Sequence, residues 1–134
     1  MVVSPINIIL CVDKNVLIPT STLINSVYFH CINKERLHFY IITDCSDLYK
    51  NILTSHCLLD QSQINYINPY DIISSISDFS KKIKVINNQR ISNLFNFIRY
   101  YFPILLPELD KILYLDVDMI VLNDISFLYD QIPD

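Results

Sequence analysis

The sequence predicts an α/β fold: a mostly parallel, Rossmann-like sheet flanked by helices, formed as one domain over residues 1–134. Three observations carry this prediction. Short apolar runs of strand length alternate with stretches whose apolar residues recur every three or four positions, as in successive βαβ units with right-handed crossovers. Acids and amides collect just past the C-terminal ends of the apolar runs, where open parallel sheets form their ligand crevice. Hydrophobic residues make up 51% of the chain and charged ones 18%, so the 134 residues can bury a core and are no disordered tail.

In chain order, Ile6 to Val12 reads as a buried strand that ends at Asp13-Lys14-Asn15. Leu17, Leu23, Ile24, Val27, Tyr28 and Cys31 keep helical spacing, predicting a helix from about Pro19 to Cys31. Leu37 to Thr43 is the second strand, and Asp44 to Asp47 a loop with capping residues. A helix on Leu48, Ile52 and Leu53 then runs to about Cys57. Gln63 to Asn68 makes a short third strand, closed by Pro69. Asp71 to Asn88, rich in serine and then basic, reads as a solvated connection, with a mobile loop over a binding site as the alternative. Ser92 is placed to cap a helix that sets Phe95, Ile98, Arg99 and Phe102 on adjoining turns and ends at Pro103. Ile112 to Leu115 is the last strand, and Asp124 caps a short helix through Tyr129.

Composition also excludes. A net charge of −4 supplies no basic face for nucleic acid. No apolar run reaches the roughly 18 residues of a membrane span, and the first residues lack the basic-then-apolar order of a secretory leader. The expected setting is the cytoplasm, with peripheral membrane association left open. Cys11, Cys31, Cys45 and Cys57 form no Cys-x-x-Cys pair, which favours free thiols in a reducing compartment. His30, His38 and His56 lack the spacing of a zinc site. Glycine is absent altogether, which removes the usual phosphate-cradling loop and the dinucleotide-binding turn. A nucleotide diphosphate would need a metal to offset its charge, and Asn, Asp, Ser and Pro must supply the turns.

The stretch Lys111-Ile-Leu-Tyr-Leu-Asp-Val-Asp-Met-Ile-Val-Leu-Asn-Asp124 offers a place for that metal. Asp116 and Asp118 interrupt an apolar strand, and residues i and i+2 of an extended segment point to one side. Val117 is expected to turn the other way, into packing. Two converging carboxylates suit a hard divalent cation with octahedral oxygen ligands, Mn²⁺ or Mg²⁺. Two acids at a strand end can equally just face water, so the pair alone does not decide.

The flanks add more. The string from Phe97-Ile-Arg-Tyr-Tyr-Phe-Pro through Lys111-Ile-Leu-Tyr-Leu-Asp-Val-Asp-Met-Ile-Val-Leu-Asn-Asp-Ile-Ser-Phe-Leu-Tyr129 resembles the family 8 glycosyltransferases. The likeness extends over nearly the whole chain from Ile6 and is most specific between Arg99 and Tyr129. It implies the GT-A fold and a retaining transfer of a hexose from a UDP-sugar to a glycan or lipid-linked acceptor, as in lipopolysaccharide biosynthesis. It implies that Asp116 and Asp118 hold Mn²⁺ or Mg²⁺ against the donor diphosphate. Asp13 and Asn15 match the positions that bind uracil and ribose, and Arg99 matches an arginine that reaches the donor sugar and diphosphate. The chain departs from the family at Lys14 and Val16, where an acid and a base-stacking tyrosine are common; stacking would fall to another residue, such as Tyr40. Tyr100, Tyr101 and Phe102 are expected in the core.

Complete family members continue past this point with an acceptor-binding half and a histidine that completes the metal site. The expectation is a donor-binding part, its sheet ending soon after the Asp-x-Asp strand, that binds UDP-hexose and does not transfer it alone. A non-catalytic nucleotide-sugar binder is the first alternative. A phosphohydrolase of the haloacid dehalogenase type is the second, disfavoured because its Asp-x-Asp lies on an early strand and here it comes late.

Overall fold

The computed structural model describes residues 4–73, 95 and 98–133. Ile6, Ile8 and Leu10 pack on one face of the first strand and Ile9 on the other, all fully buried. A strand covered on both faces belongs inside a sheet, and Ile6–Cys11 (β1) does lie inside one. Leu37–Ile42 (β2) pairs with it on one side and Leu113–Tyr114 (β4) on the other, with Ile64–Ile67 (β3) beyond β2. The order is β3-β2-β1-β4, and every adjoining pair is parallel. β1 and β2 are in register from Ile6↔Leu37 to Cys11↔Ile42, whereas β4 meets β1 only at Ile8↔Leu113 and Ile9↔Tyr114.

The helices whose bounds lie within the described residues are Leu17–His30 (α1), Ser46–His56 (α2), Pro69–Ile73 (α3), Phe102–Leu105 (α4) and Ser126–Gln131 (α5). The larger core joins Ile8, Leu10, Leu37 and Phe39 to Leu23, Ile24 and Val27 of α1, Tyr49 and Leu53 of α2, and Tyr129 of α5. A smaller core on the opposite face joins Ile9 and Ile42 to Ile98, Phe102, Leu105 and Leu106.

Several expectations need correcting. The buried stripe of α2 runs through Tyr49 and Leu53, and Leu48 is exposed. Tyr49 carries a hydroxyl that finds a partner inside, which lets an amphipathic ring replace an aliphatic one. Pro69 does not merely close β3; it opens α3, where its missing N–H costs nothing. Pro103 likewise sits in the first turn of α4, after a 3₁₀ segment Ile98–Tyr101, and ends no helix there. Tyr100 is exposed, while Phe102 is buried as expected. The proposed helix start at Ser92 and most of the 71–88 connection lie outside the described residues.

The turns are made without left-handed backbone: no described residue has positive φ. Side chains take over that work by accepting from the backbone N–H two residues on. Asp13 accepts from Asn15 at 2.8 Å, Asp60 from Ser62 at 2.8 Å, Asn68 from Tyr70 at 3.1 Å and Asp124 from Ser126 at 2.9 Å. This is the local bond that lets Asp and Asn mimic a backbone turn, and it answers the absence of glycine. Asp124 also accepts from the Ile32 N–H at 2.9 Å, so one carboxylate ties the turn before α5 to the end of α1, while the N-cap of α5 is Ile125 and not Asp124 as expected. The four cysteines are free thiols, Cys31 buried and the others half-buried. Among the described residues no helix is long and apolar enough to cross a membrane.

Candidate functional site

The chain leaves β1 towards β2 and β3, then returns on the other side of β1 to form β4. Such a reversal opens a crevice past the carboxyl ends of the two diverging strands. Here those ends are Asp13, after β1, and Asp116 to Asp118, after β4. A hollow of about 420 Å³ lies between them, lined by Cys11, Asp13, Val16, Phe95, Tyr114, Asp116, Val117 and Asp118. Carboxylates from opposite ends of the chain thus border one space.

Asp116 and Asp118 are exposed, and they stand on a turn past β4, not on an extension of the strand. The expected buried strand over Ile112 to Leu115 is shorter: β4 is two residues long, and Leu113 and Tyr114 are half-buried. Leu115 still donates its N–H to the Ile9 carbonyl at 3.2 Å, after which the chain turns away. Val117 packs against the larger core while also bordering the hollow, which keeps the two carboxylates outward. The Tyr114 hydroxyl donates to Asp116 Oδ1 at 2.6 Å.

On the opposite wall, Asp13 is fixed from two directions. Its carboxylate accepts from the Asn15 N–H, and its carbonyl accepts from the Tyr49 hydroxyl at 2.8 Å. Tyr49 is fully buried, and its hydroxyl also lies 3.4 Å from Thr20 Oγ1. Burial pushes the phenol well above its ordinary range, so it stays a donor at any working pH. Asn15 is exposed beside the crevice and is not among the lining residues.

Arg99 stands behind β4. Its guanidinium lies 5.4 Å from the centre of the Tyr114 ring, and it lines a separate hollow of about 530 Å³ with Phe102, Pro103, Leu106, Leu109, Asp110 and Ile112, none of which lines the acidic one. The structure therefore connects Arg99 to Asp116 through Tyr114. Tyr40 packs with the smaller core and does not line the acidic hollow. Burial pushes the Cys11 thiol up to about 12, with the Arg99 charge opposing and that of Asp116 adding to the rise. A thiol held neutral in this way is a wall of the site and not a nucleophile.

Asp116 and Asp118 fit a divalent cation chemically: hard oxygens, exposed, on one wall. Among the described residues no group of three or more His, Cys, Asp or Glu side chains is placed to hold an ion, so the remaining ligands would be water and donor oxygens. Tyr49 and Tyr114, which bond Asp13 and Asp116, are the supports of this hollow that reasoning from the sequence missed. Tyr114 carried a signal, since it lies two positions before Asp116 and so on the same side of an extended chain.

Comparison with known proteins bears on the family and the fold. The family described as "Glycosyl transferase family 8" matches residues 7–133. The human protein "Glycosyltransferase 8 domain-containing protein 2" is 28% identical over 127 residues, which are 93% of this chain and 34% of that protein. "Probable galacturonosyltransferase 6" of Arabidopsis thaliana is 30% identical over 114 residues, 82% of this chain and 19% of that protein. The chain therefore spans about a third of the human relative and a fifth of the plant one. Among solved structures, the apo form of the bifunctional glycosyltransferase WbbM superposes with a TM-score of 0.64 at 20% identity, over 97% of this chain and 21% of that one. With the parallel sheet, that neighbour identifies an α/β fold of the GT-A kind.

Proposed function

The chain belongs to glycosyltransferase family 8, and from that premise we propose that it is the donor-binding part of a retaining hexosyltransferase that uses a UDP-hexose with Mn²⁺ or Mg²⁺. The observation that carries the reading is the shared hollow of Asp13, Asp116 and Asp118 at the sheet's switch point. Three carboxylates would repel a diphosphate, whereas a divalent cation held by Asp116 and Asp118 would offset their two charges and attract the phosphate oxygens. Asp116 and Asp118 would hold that cation. When bound, it supplies Lewis-acid stabilisation of the departing nucleoside diphosphate.

The chain's own residues do the rest. Asp13, its backbone carbonyl braced by the Tyr49 hydroxyl, and Asn15 present side-chain oxygens to uracil and ribose. Arg99 offers a planar charged fork to the donor's diphosphate and sugar. Cys11, Val16 and Phe95 supply the apolar part of the hollow's lining. The acceptor is a glycan or a lipid-linked sugar, and positioning it next to the anomeric carbon falls to parts of the relatives outside the span matched here.

Calorimetric titration of UDP with and without Mn²⁺ tests the reading. The parent chain should bind UDP in a metal-dependent manner. Asp116→Asn and Asp118→Asn should each weaken that binding at least about a hundredfold while leaving the circular dichroism unchanged. Metal-independent binding, or unchanged affinity in both variants, would overturn it. Transfer assays with UDP-glucose and UDP-galactose should give no robust multiple turnover by this chain alone. Turnover would mean the chain carries its own acceptor site, and metal-dependent binding without turnover is equally what a non-catalytic donor binder would show.

A further inference from the structure

The proposed chemistry leaves Tyr114 without a task, yet Tyr114 holds the first carboxylate of the pair. Its hydroxyl donates to Asp116 Oδ1 at 2.6 Å, within the short range of a bond to an ionised acceptor. The tyrosine itself is held three ways. Its backbone sits in register with Ile9 in the sheet. Its ring lies 5.7 Å from that of Phe102, tilted by 45°, and the Arg99 guanidinium stands 5.4 Å from its centre. Asp116, by contrast, is exposed on a turn and would otherwise rotate freely. The hydroxyl thus transmits the rigidity of the sheet to a carboxylate that has left it.

We propose that Tyr114 is a positioning and selectivity residue for the cation site, an inference that rests on Asp116 and Asp118 being the cation's ligands. With Oδ1 accepting from the phenol, Oδ2 would be the freer ligand atom of Asp116, and one-oxygen ligation through it would leave the Tyr114 bond intact. Small cations that demand near-octahedral geometry accept such one-oxygen carboxylates, whereas Ca²⁺ takes six to eight oxygens and readily uses both oxygens of one carboxylate. Chelation by both Asp116 oxygens would have to bend or break the Tyr114 bond. The arrangement therefore selects Mn²⁺ and Mg²⁺ over Ca²⁺.

The test is Tyr114→Phe, which keeps the ring contacts and removes only the hydroxyl. Binding of Mn²⁺ alone is followed by electron paramagnetic resonance, and Ca²⁺ affinity by displacement of Mn²⁺. The Mn²⁺ dissociation constant should rise about tenfold, as it does when partners of metal ligands are removed, while that for Ca²⁺ stays level or falls. Asp116→Glu carries the carboxylate one methylene past the hydroxyl and should shift preference towards Ca²⁺ in the same direction, which covers a Phe variant that folds poorly. Equal weakening of both cations, or no change in either, overturns the proposal while leaving the cation site standing. Failure of the parent chain to bind Mn²⁺, or indifference of that binding to Asp116→Asn, overturns the site and this inference together.

Discussion

The two sides of β1 are built differently. Towards β2 the pairing runs the full length of both strands, and Ile6, Ile8, Ile9, Leu10, Leu37, Phe39, Ile41 and Ile42 along it are fully buried. Towards β4 it stops after Ile8 and Ile9, and the chain beyond β4 is largely exposed: Ile120, Leu122 and Phe127 are each more than 60% accessible. That second side is held by polar ties across long sequence distances. Arg36 lays its guanidinium on Asp130 in a two-pronged pair at 2.6 and 2.9 Å and donates Nε to the Ser4 carbonyl. The Tyr129 hydroxyl and Asn7 both donate to the Lys111 carbonyl, and Val121 donates its N–H to Ser26 Oγ. Apolar burial makes the scaffold. Early departure from the sheet is what frees Asp116 and Asp118 to face solvent, so the site stands on the less densely packed side.

Substitutions should separate the two. The largest effect belongs to the β2 side: Ile8→Ala opens a cavity in a fully buried position and should cost about 3–4 kcal/mol in urea unfolding. A loss below about 1 kcal/mol would show that the core there relaxes freely. Next comes the polar clamp. Arg36→Ala removes a buried side chain with three bonds but a half-exposed partner, for which about 2 kcal/mol is expected. The clamp also has a pH signature. The Arg36 hydrogen bond holds the Asp130 carboxyl below its usual range, so its folded value lies beneath the unfolded one near 4. Its contribution is complete above the unfolded value and fades as pH falls through the folded one, because the unfolded chain takes up the proton first. The stability gap between the parent and Asp130→Asn should therefore close under acid conditions and be flat from pH 6 to 8.

Arg99→Lys comes third. A point charge cannot reproduce a planar fork or its stacking on Tyr114, and affinity for a UDP-sugar should fall about tenfold, roughly 1.4 kcal/mol. Binding equal to the parent's would place Arg99 outside the donor site. The smallest effect belongs to Leu122→Ser, at 72% exposure, which should shift stability by no more than about 0.5 kcal/mol. A larger loss would mean that this surface is covered in solution.

Residue chemistry and period were enough to read β1, β2, α1 and the parallel order of the strands, because apolar spacing reports directly which faces are covered. That Asp13, Asp116 and Asp118 would border one crevice was legible for a related reason: the switch point of a parallel sheet is set by the order of its elements. The missing glycines announced turns closed by Asp and Asn, and the structure closes them so. Other features needed the folded chain. Whether β4 would run for two residues or four depends on how soon Val117 finds the larger core, which no local pattern states. The replacement of Leu48 by Tyr49 on the buried face of α2 depends on the Asp13 carbonyl waiting 36 residues away in sequence. Arg36 could not be told from a surface arginine until Asp130 arrived beside it. Periodicity records the environment a residue needs, whereas a hydrogen bond between distant side chains needs a particular partner, and only the packing of elements against one another supplies it.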